Sequence, residues 1–174
     1  RGFLAGLLAS SLAPTPSWAD LGTPAFLTAA KDPDGSYLLA GLSEAGAIQF
    51  TCPLPGRGHA AAAHPTRPEA VAFARRPGRF ADVIDCRNGT PLARLEPPQG
   101  HHFYGHGLFT PDGSRLFTTE NDYENGRGRI GIWEVARGYR RIGSFDSGGI
   151  GPHDMLLRQS QSGPQLAIAN GGIE

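Results

Sequence analysis

An excess of charge of either sign is the clearest absence from this sequence. Its 16 lysines and arginines are balanced by 16 aspartates and glutamates, so the formal net charge is zero with neutral histidines. A balanced chain has no long-range electrostatic attraction for polyphosphates or for an anionic membrane surface. Nucleic acid is therefore not expected as a partner.

The motifs of familiar hydrolases are also missing. The sequence has no nucleophile elbow, no ordered Ser, His and Asp set and no zincin motif. Acid–base pairs could be drawn from Asp85, Asp122, Glu124 and Asp154, but no spacing singles out two of them. No catalytic residue is predicted.

Helix signals are few, whereas turn-forming residues are abundant, with 25 glycines and 15 prolines. This composition, without low-complexity runs, is typical of many short strands joined by turns. The alanine-rich segment 60–63 is too short to predict a helix and is assigned to a loop between repeats. The expected fold class is all-β.

A glycine-plus-histidine pattern recurs along the chain, at 58–59, 105–106 and 151–153. The histidines are equally spaced, since 106 − 59 = 47 and 153 − 106 = 47. The segment 101–135 contains two apolar runs around a Pro-Asp-Gly turn and ends in a third run with a Trp-Glu pair. Its layout resembles a WD-type propeller blade, and a period of about 40–50 residues belongs to propellers.

The sequence therefore predicts a partial β-propeller of about three WD-like blades from a ring of about seven. The blades are approximately 20–57, 58–104 and 105–150, and the next begins within 151–174. Because closed propellers need about four to eight blades, the chain is expected to be truncated at both ends, as the N-terminal part of a longer propeller.

Cysteine is scarce, and Cys52 and Cys86 lack the close pairing of a cysteine zinc site. An oxidising compartment would permit a disulfide between them. Two separate core residues are the favoured alternative, because equivalent positions on neighbouring blades are often farther apart than the roughly 5.5 Å Cα separation of a bridge.

The N-terminal segment 1–19 resembles a signal peptide, with a short apolar core and small residues before a cleavage site at Ala19. Arg1-Gly2-Phe3-Leu4 resembles the second half of a twin-arginine motif whose first arginine would precede the chain. The alternative is a buried N-terminal helix. Export predicts a bacterial periplasmic location, with no membrane span after cleavage because the apolar core is short of about 20 residues.

The repeated histidines His59, His106 and His153 are candidate ligands of a transition metal, because neutral imidazole is a common ligand. They are expected at one level, at the entrance to the innermost strands. The favoured alternative is structural, with each histidine bonded to a neighbouring turn and strand. Residues spread around a ring of blades are also expected to lie too far apart to share one ion at bonds of about 2 Å.

A second candidate site lies around the polar loop 120–129, whose carboxylates could hold a hard cation. The alternative is internal, with Asp122 capping the hairpin and pairing with Arg127 or Arg129. An adjacent histidine pair at 101–102 points in different directions on an extended backbone, so both are not expected on one ion. The full set of candidates is His101, His102, Glu120, Asp122 and Glu124.

Several segments in combination, namely 1–4, 103–107, 119–128, 149–153 and 169–173, resemble the family of domain of unknown function 1513. The resemblance implies a twin-arginine-exported periplasmic β-propeller about twice this length. Members are often encoded near imelysin-like iron-uptake components, which implies periplasmic iron-uptake proteins as partners and leaves the cofactor open, with a transition metal as the candidate.

The function that follows from the resemblance is a non-enzymatic binding or scaffold component associated with iron or metal uptake. The alternative is a propeller enzyme, either a metal-dependent lactonase-like hydrolase or an oxidoreductase, with its site in the central channel.

Overall fold

The computed structural model describes residues 24–161 and 163–172, which form four antiparallel sheets. The predicted signal peptide, residues 1–19, lies outside the described residues. The all-β fold class is confirmed. In the described residues no helix is long and apolar enough to cross a membrane.

Each sheet is a meander in which every strand pairs with the next one along the chain. The first sheet contains β1 (Phe26–Lys31), β2 (Tyr37–Leu42) and β3 (Ile48–Leu54). The second contains β4 (Gly58–Ala63), β5 (Glu69–Ala74), β6 (Ala81–Asp85) and β7 (Thr90–Leu95). The third contains β8 (His101–Phe109), β9 (Arg115–Asp122), β10 (Arg127–Glu134) and β11 (Arg140–Asp146), with a 3₁₀ turn at Val135–Arg137 before β11. The fourth contains β12 (Pro152–Ser160) and β13 (Gly163–Asn170).

The predicted Pro-Asp-Gly turn joins β8 to β9. Thr110 Oγ1 and the Ser114 backbone N–H donate hydrogen bonds to Asp112 Oδ1, at 2.5 and 3.0 Å. The hydroxyl of Thr110 is the main cause that lowers the pKa of Asp112 to about 2. Gly113 takes a positive φ of 69°, which a residue with a side chain rarely adopts. The turn therefore has the conformation that its residue types predict.

Two apolar clusters fill the spaces between the sheets. One lies between the first and second sheets, and the other lies between the second and third, around Phe73, Phe103 and Trp133. Strands β5 and β6 are buried along their whole length apart from the partly buried Glu69, because neighbouring sheets cover both faces. That burial explains their continuous apolar runs, where a half-buried strand would alternate.

Cys52 and Cys86 are buried free thiols in the first cluster, the alternative that the sequence favoured. Burial raises the pKa of Cys86 to about 12, so its thiolate is not populated at neutral pH. Both cysteines act as small core residues.

The first strands of successive sheets lie side by side, with β4 against β1, β8 against β4 and β12 against β8. Strand β8 begins at His101 rather than at 105, because His101, His102 and Phe103 already pair with Asp122, Asn121 and Glu120 of β9. The alanine-rich segment 60–63, assigned to a loop from the sequence, belongs to β4. The backbone N–H and C=O groups of this segment form hydrogen bonds with β5, and this pairing makes the segment a strand.

Candidate metal centre

Three histidines converge where the first strands of three sheets begin. His59 is the second residue of β4, His153 the second of β12, and His106 lies within β8. Their ring centroids are 4.9 Å apart for His59 and His106, 5.0 Å for His106 and His153, and 6.0 Å for His59 and His153. One potential ligand atom from each ring lies within 4.8 Å of the other two.

The expectation that these residues are held too far apart is wrong. Strand β8 packs against β4 on one side and β12 on the other, so the three histidine side chains meet instead of lying far apart around a ring. In the described part of the chain this is the only set of three or more histidine, cysteine or carboxylate side chains close enough to hold one ion.

A register irregularity aims each ring at the common point. The ladder shifts between Gly58 and Ala61 in β4, between Phe103 and Gly107 in β8, and between Pro152 and Asp154 in β12. Every one of these intervals contains its histidine. Bulges of this kind bend a strand and redirect a side chain, and they are frequent beside functional sites.

Gly105 makes room for the ring of His59. A Cβ built on Gly105 would collide with Cδ2, Cγ and Cβ of that histidine, and the φ of 107° is one that side chains disfavour. Gly105 thus accommodates the histidine of the preceding repeat, which gives a physical reason for a glycine before His106.

Asp154 orients the imidazole of His106. Its Oδ1 lies 3.4 Å from His106 Nδ1 and is itself held by the Met155 N–H at 2.8 Å. The other ring nitrogen, Nε2, is buried and lacks a hydrogen-bond partner within the described residues. A carboxylate on one nitrogen of a histidine, with the other nitrogen free, is the arrangement that precedes metal ligation.

The local environment of His106 and His59 favours the neutral form of both rings. Burial lowers the pKa of His106, against an opposite effect of Asp154. Burial also lowers the pKa of His59, helped by His106, Arg75 and His153. Neutral imidazole is the form that binds metals.

The geometry suits a transition-metal ion of intermediate softness, bound by three imidazoles with one coordination position left open. Imidazole nitrogen is a good ligand for zinc, copper, iron and nickel. Bonds of about 2.1 Å require the nitrogens to be roughly 3.4 Å apart, so small side-chain rotations of about 1 Å would close the set on an ion. Beside the rings lies a cavity of about 190 Å³, lined by His59, Arg75, Arg76, Tyr104, His153 and Gly171.

The second candidate set is arranged differently. Glu120 is fully buried and forms two bonds to Arg141, from Nη1 to Oε1 at 2.5 Å and from Nη2 to Oε2 at 2.9 Å. His101 Nδ1 lies 3.6 Å from Glu120 Oε2, whereas His102 stacks between Tyr104 and Tyr123. The two histidines therefore face different partners. Both carboxylate oxygens of Glu120 are already bound by Arg141.

Asp122 caps its hairpin, but its partner is Asn125, whose backbone N–H donates at 3.1 Å and whose side-chain amide donates at 2.9 and 3.0 Å. Arg129 faces Asp146 at 3.9 Å instead. Arg127 lies opposite Asp122 in the register of β9 and β10. Against the effect of burial, the pKa of Asp122 is lowered by the hydrogen bonds of Asn125 and further by the charge of Arg127. Glu124 is exposed and lies over Gly100. A cation at this loop remains a prediction.

His64 makes the kind of hydrogen bonds to a neighbouring turn that were expected of the repeated histidines. Its Nε2–H donates to Gly113 O at 3.1 Å, and its Nδ1 accepts from the Thr66 and Arg67 N–H groups at 3.1 and 3.0 Å. These bonds tie the second sheet to the turn of the third. Among described residues, neither His59 nor His153 takes part in a side-chain hydrogen bond of this kind.

Stability is expected to fall as the pH decreases from 7.5 towards 5. Burial lowers the pKa of His64, so below pH 6.5 the imidazole takes up a proton more readily in the unfolded chain than in the folded one. The contribution of His64 to stability is therefore complete above its unfolded pKa near 6.5 and is lost as the pH falls below that value. His64→Gln should cost about 1–3 kcal/mol at pH 7.5 and flatten this dependence. Urea unfolding of both proteins across the pH range measures this. An equal slope in the variant would assign the effect to other histidines.

Comparisons with known proteins support the fold. A protein of unknown function from Bacteroides caccae is similar, with a TM-score of 0.52 and 15% identity over 82% of this chain and 49% of that one. The dihydro-heme d1 dehydrogenase NirN in complex with DHE gives a TM-score of 0.51 and 17% identity over 88% of this chain and 30% of the other. This chain thus spans half or less of the length of these proteins, and identities this low establish the fold alone. No curated protein matches the sequence.

A family model does match. It covers residues 52–174, which include every strand from β4 to β13 and all three histidines of the centre. The predicted family is thereby confirmed, and this chain belongs to the family described as Protein of unknown function (DUF1513).

Proposed function

We propose that this protein is a non-enzymatic β-propeller component that binds one transition-metal ion through His59, His106 and His153. The observation that carries the proposal is the convergence of three imidazoles from three successive repeats within 4.8 Å. A structural histidine needs hydrogen-bond partners, yet His106 Nε2 is buried without one. A metal ion supplies what that nitrogen lacks.

The setting of the proposal is the bacterial periplasm, as a binding or scaffold partner of iron-uptake proteins. The signal-like segment 1–19 and the family resemblance support this setting. A solvent-accessible centre also suits a protein that receives or passes on an ion, since the rings of His59 and His153 are exposed.

Elemental analysis of the purified protein tests the proposal. After equilibration with zinc, copper(II) or iron(II) and desalting, the wild type is expected to retain about one equivalent of at least one of them. His106→Ala should retain none, because two imidazoles bind far more weakly than three. His102→Phe is the matched control, since it removes a histidine outside the centre while keeping an aromatic ring in the stack.

Equal retention by the wild type and His106→Ala would refute the site. So would a wild type without metal whose His106→Ala variant only unfolds at a lower temperature, because that result would make the histidine structural.

A second candidate is a propeller enzyme. Three histidines leave one position of a tetrahedral ion open, as in catalytic zinc sites, and a cavity adjoins that side. Metal-dependent hydrolysis of a lactone or ester panel, lost in His106→Ala, would favour a hydrolase. Stoichiometric metal binding without turnover favours the binding component.

A further inference from the structure

A metal ion at the three-histidine centre would be surrounded by positive charge. Arg75 and Arg76 line the cavity beside His59 and His153. On the other side of His59, a separate cavity of about 470 Å³ is lined by Lys31 and Arg57. In the described part of the chain none of these four side chains forms an ion pair with a carboxylate within 4.0 Å.

The ligands themselves do not offset this charge. Three neutral imidazoles leave a divalent ion with its full charge, and among the described residues Asp154 is the only carboxylate in contact with them. Positive side chains that line the same cavities as a metal ligand repel a bound cation unless an anion intervenes. An ion bound here therefore needs a negatively charged partner.

Arg76 is already oriented towards the cavity. Its Nη1 donates to the Tyr104 hydroxyl at 2.8 Å, and its guanidinium carbon lies 5.3 Å from the centroid of the same ring. Tyr104 is buried and in turn contacts the ring of His153, at a centroid distance of 6.4 Å. A guanidinium fixed by stacking loses little entropy when it binds an oxyanion, and its planar fork matches a carboxylate.

We propose that the cavity beside the three-histidine centre binds a small carboxylate anion, with one oxygen on the open position of the metal and the remainder held by Arg75 and Arg76. This inference rests on the proposed metal site. A volume of about 190 Å³ equals that of about six water molecules, so it fits an anion of the size of malonate. The bound form is a ternary complex of protein, metal and organic acid.

Cobalt(II) is the probe, because its visible absorption reports the number and type of its ligands. The cobalt-loaded protein is titrated with malonate, with its neutral diamide malonamide and with inorganic phosphate. Malonate is expected to change the spectrum saturably, whereas the neutral malonamide should not. In the variant Arg75→Gln/Arg76→Gln the malonate affinity should fall roughly 10- to 100-fold with cobalt affinity unchanged or higher. Arg140→Gln, an exposed arginine away from the site, is the control.

The outcomes separate the two proposals. If cobalt does not bind, both the metal site and the anion site are wrong. If cobalt binds but malonate leaves the spectrum unchanged, removes the metal on desalting, or binds the double variant equally well, only the carboxylate inference is overturned. A response to phosphate but not to malonate also overturns it, because the class of anion would be different.

Discussion

Arg141→Met is expected to destabilise the protein by about 3–5 kcal/mol, the cost of leaving a buried charge without its partner. The Glu120 side chain is 0% exposed, and both of its oxygens are bound by Arg141. Thr118 Oγ1 also donates to Glu120 Oε1 at 2.8 Å, and Trp133 Nε1 donates to Thr118 Oγ1 at 2.9 Å. Urea unfolding at pH 7.5 measures the loss.

Two further variants make this result specific. Glu120→Gln/Arg141→Met removes the buried charge with the arginine, so it should recover much of the lost stability. Arg137→Met removes an arginine that is 65% exposed and pairs with Glu134 at 3.4 Å, and it should cost less than about 1 kcal/mol. If Arg141→Met behaved like Arg137→Met, the buried pair would not stabilise the fold.

The period of 47 residues predicted most of the architecture because strand order and turns are local properties. Each repeat contains its own apolar runs and turn residues, so the meander can be inferred without knowledge of distant contacts. The same period placed His59, His106 and His153 at equivalent positions. The three side chains do meet, although His59 and His153 are the second residues of β4 and β12 whereas His106 is the sixth residue of β8.

The distance between the three histidines could not be inferred in this way. It depends on how closely β4, β8 and β12 pack and on a bulge in each of them. A bulge adds only one residue to one strand, so it changes the spacing of the sequence repeat too little to be recognised. Gly105 is the one local signal, because a glycine before a histidine predicts a close approach by another group.

His64 and the Glu120–Arg141 pair were missed for a related reason. His64 bonds to Gly113, 49 residues away, and the position one period after it is Pro111, since 64 + 47 = 111. A sequence repeat gives no information about a residue that does not recur at the equivalent position of each repeat. Glu120 opens the polar loop in the sequence, yet β11 covers it with Arg141, and such burial is decided by tertiary packing.

His153→Ala is expected to weaken metal binding by roughly 100-fold or more, and Asp154→Ala by about 10- to 100-fold. In the proposed centre His153 is one of three protein ligands, so its loss removes roughly a third of a binding free energy of about 10–16 kcal/mol. Of the three imidazoles, Asp154 contacts only that of His106 among the described residues, so we expect it to act by positioning that ring. Both side chains are largely exposed, Asp154 at 61%, so neither change should disturb the core.

Competition with a chromogenic zinc chelator measures these affinities, and Asp154→Asn distinguishes orientation from charge. The asparagine side-chain oxygen can still accept the Nδ1–H of His106, so this variant should keep most of the affinity that Asp154→Ala loses. If asparagine proved as damaging as alanine, the carboxylate would act through its charge rather than through orientation. If neither substitution mattered while His153→Ala abolished binding, His106 would be oriented by its own strand alone.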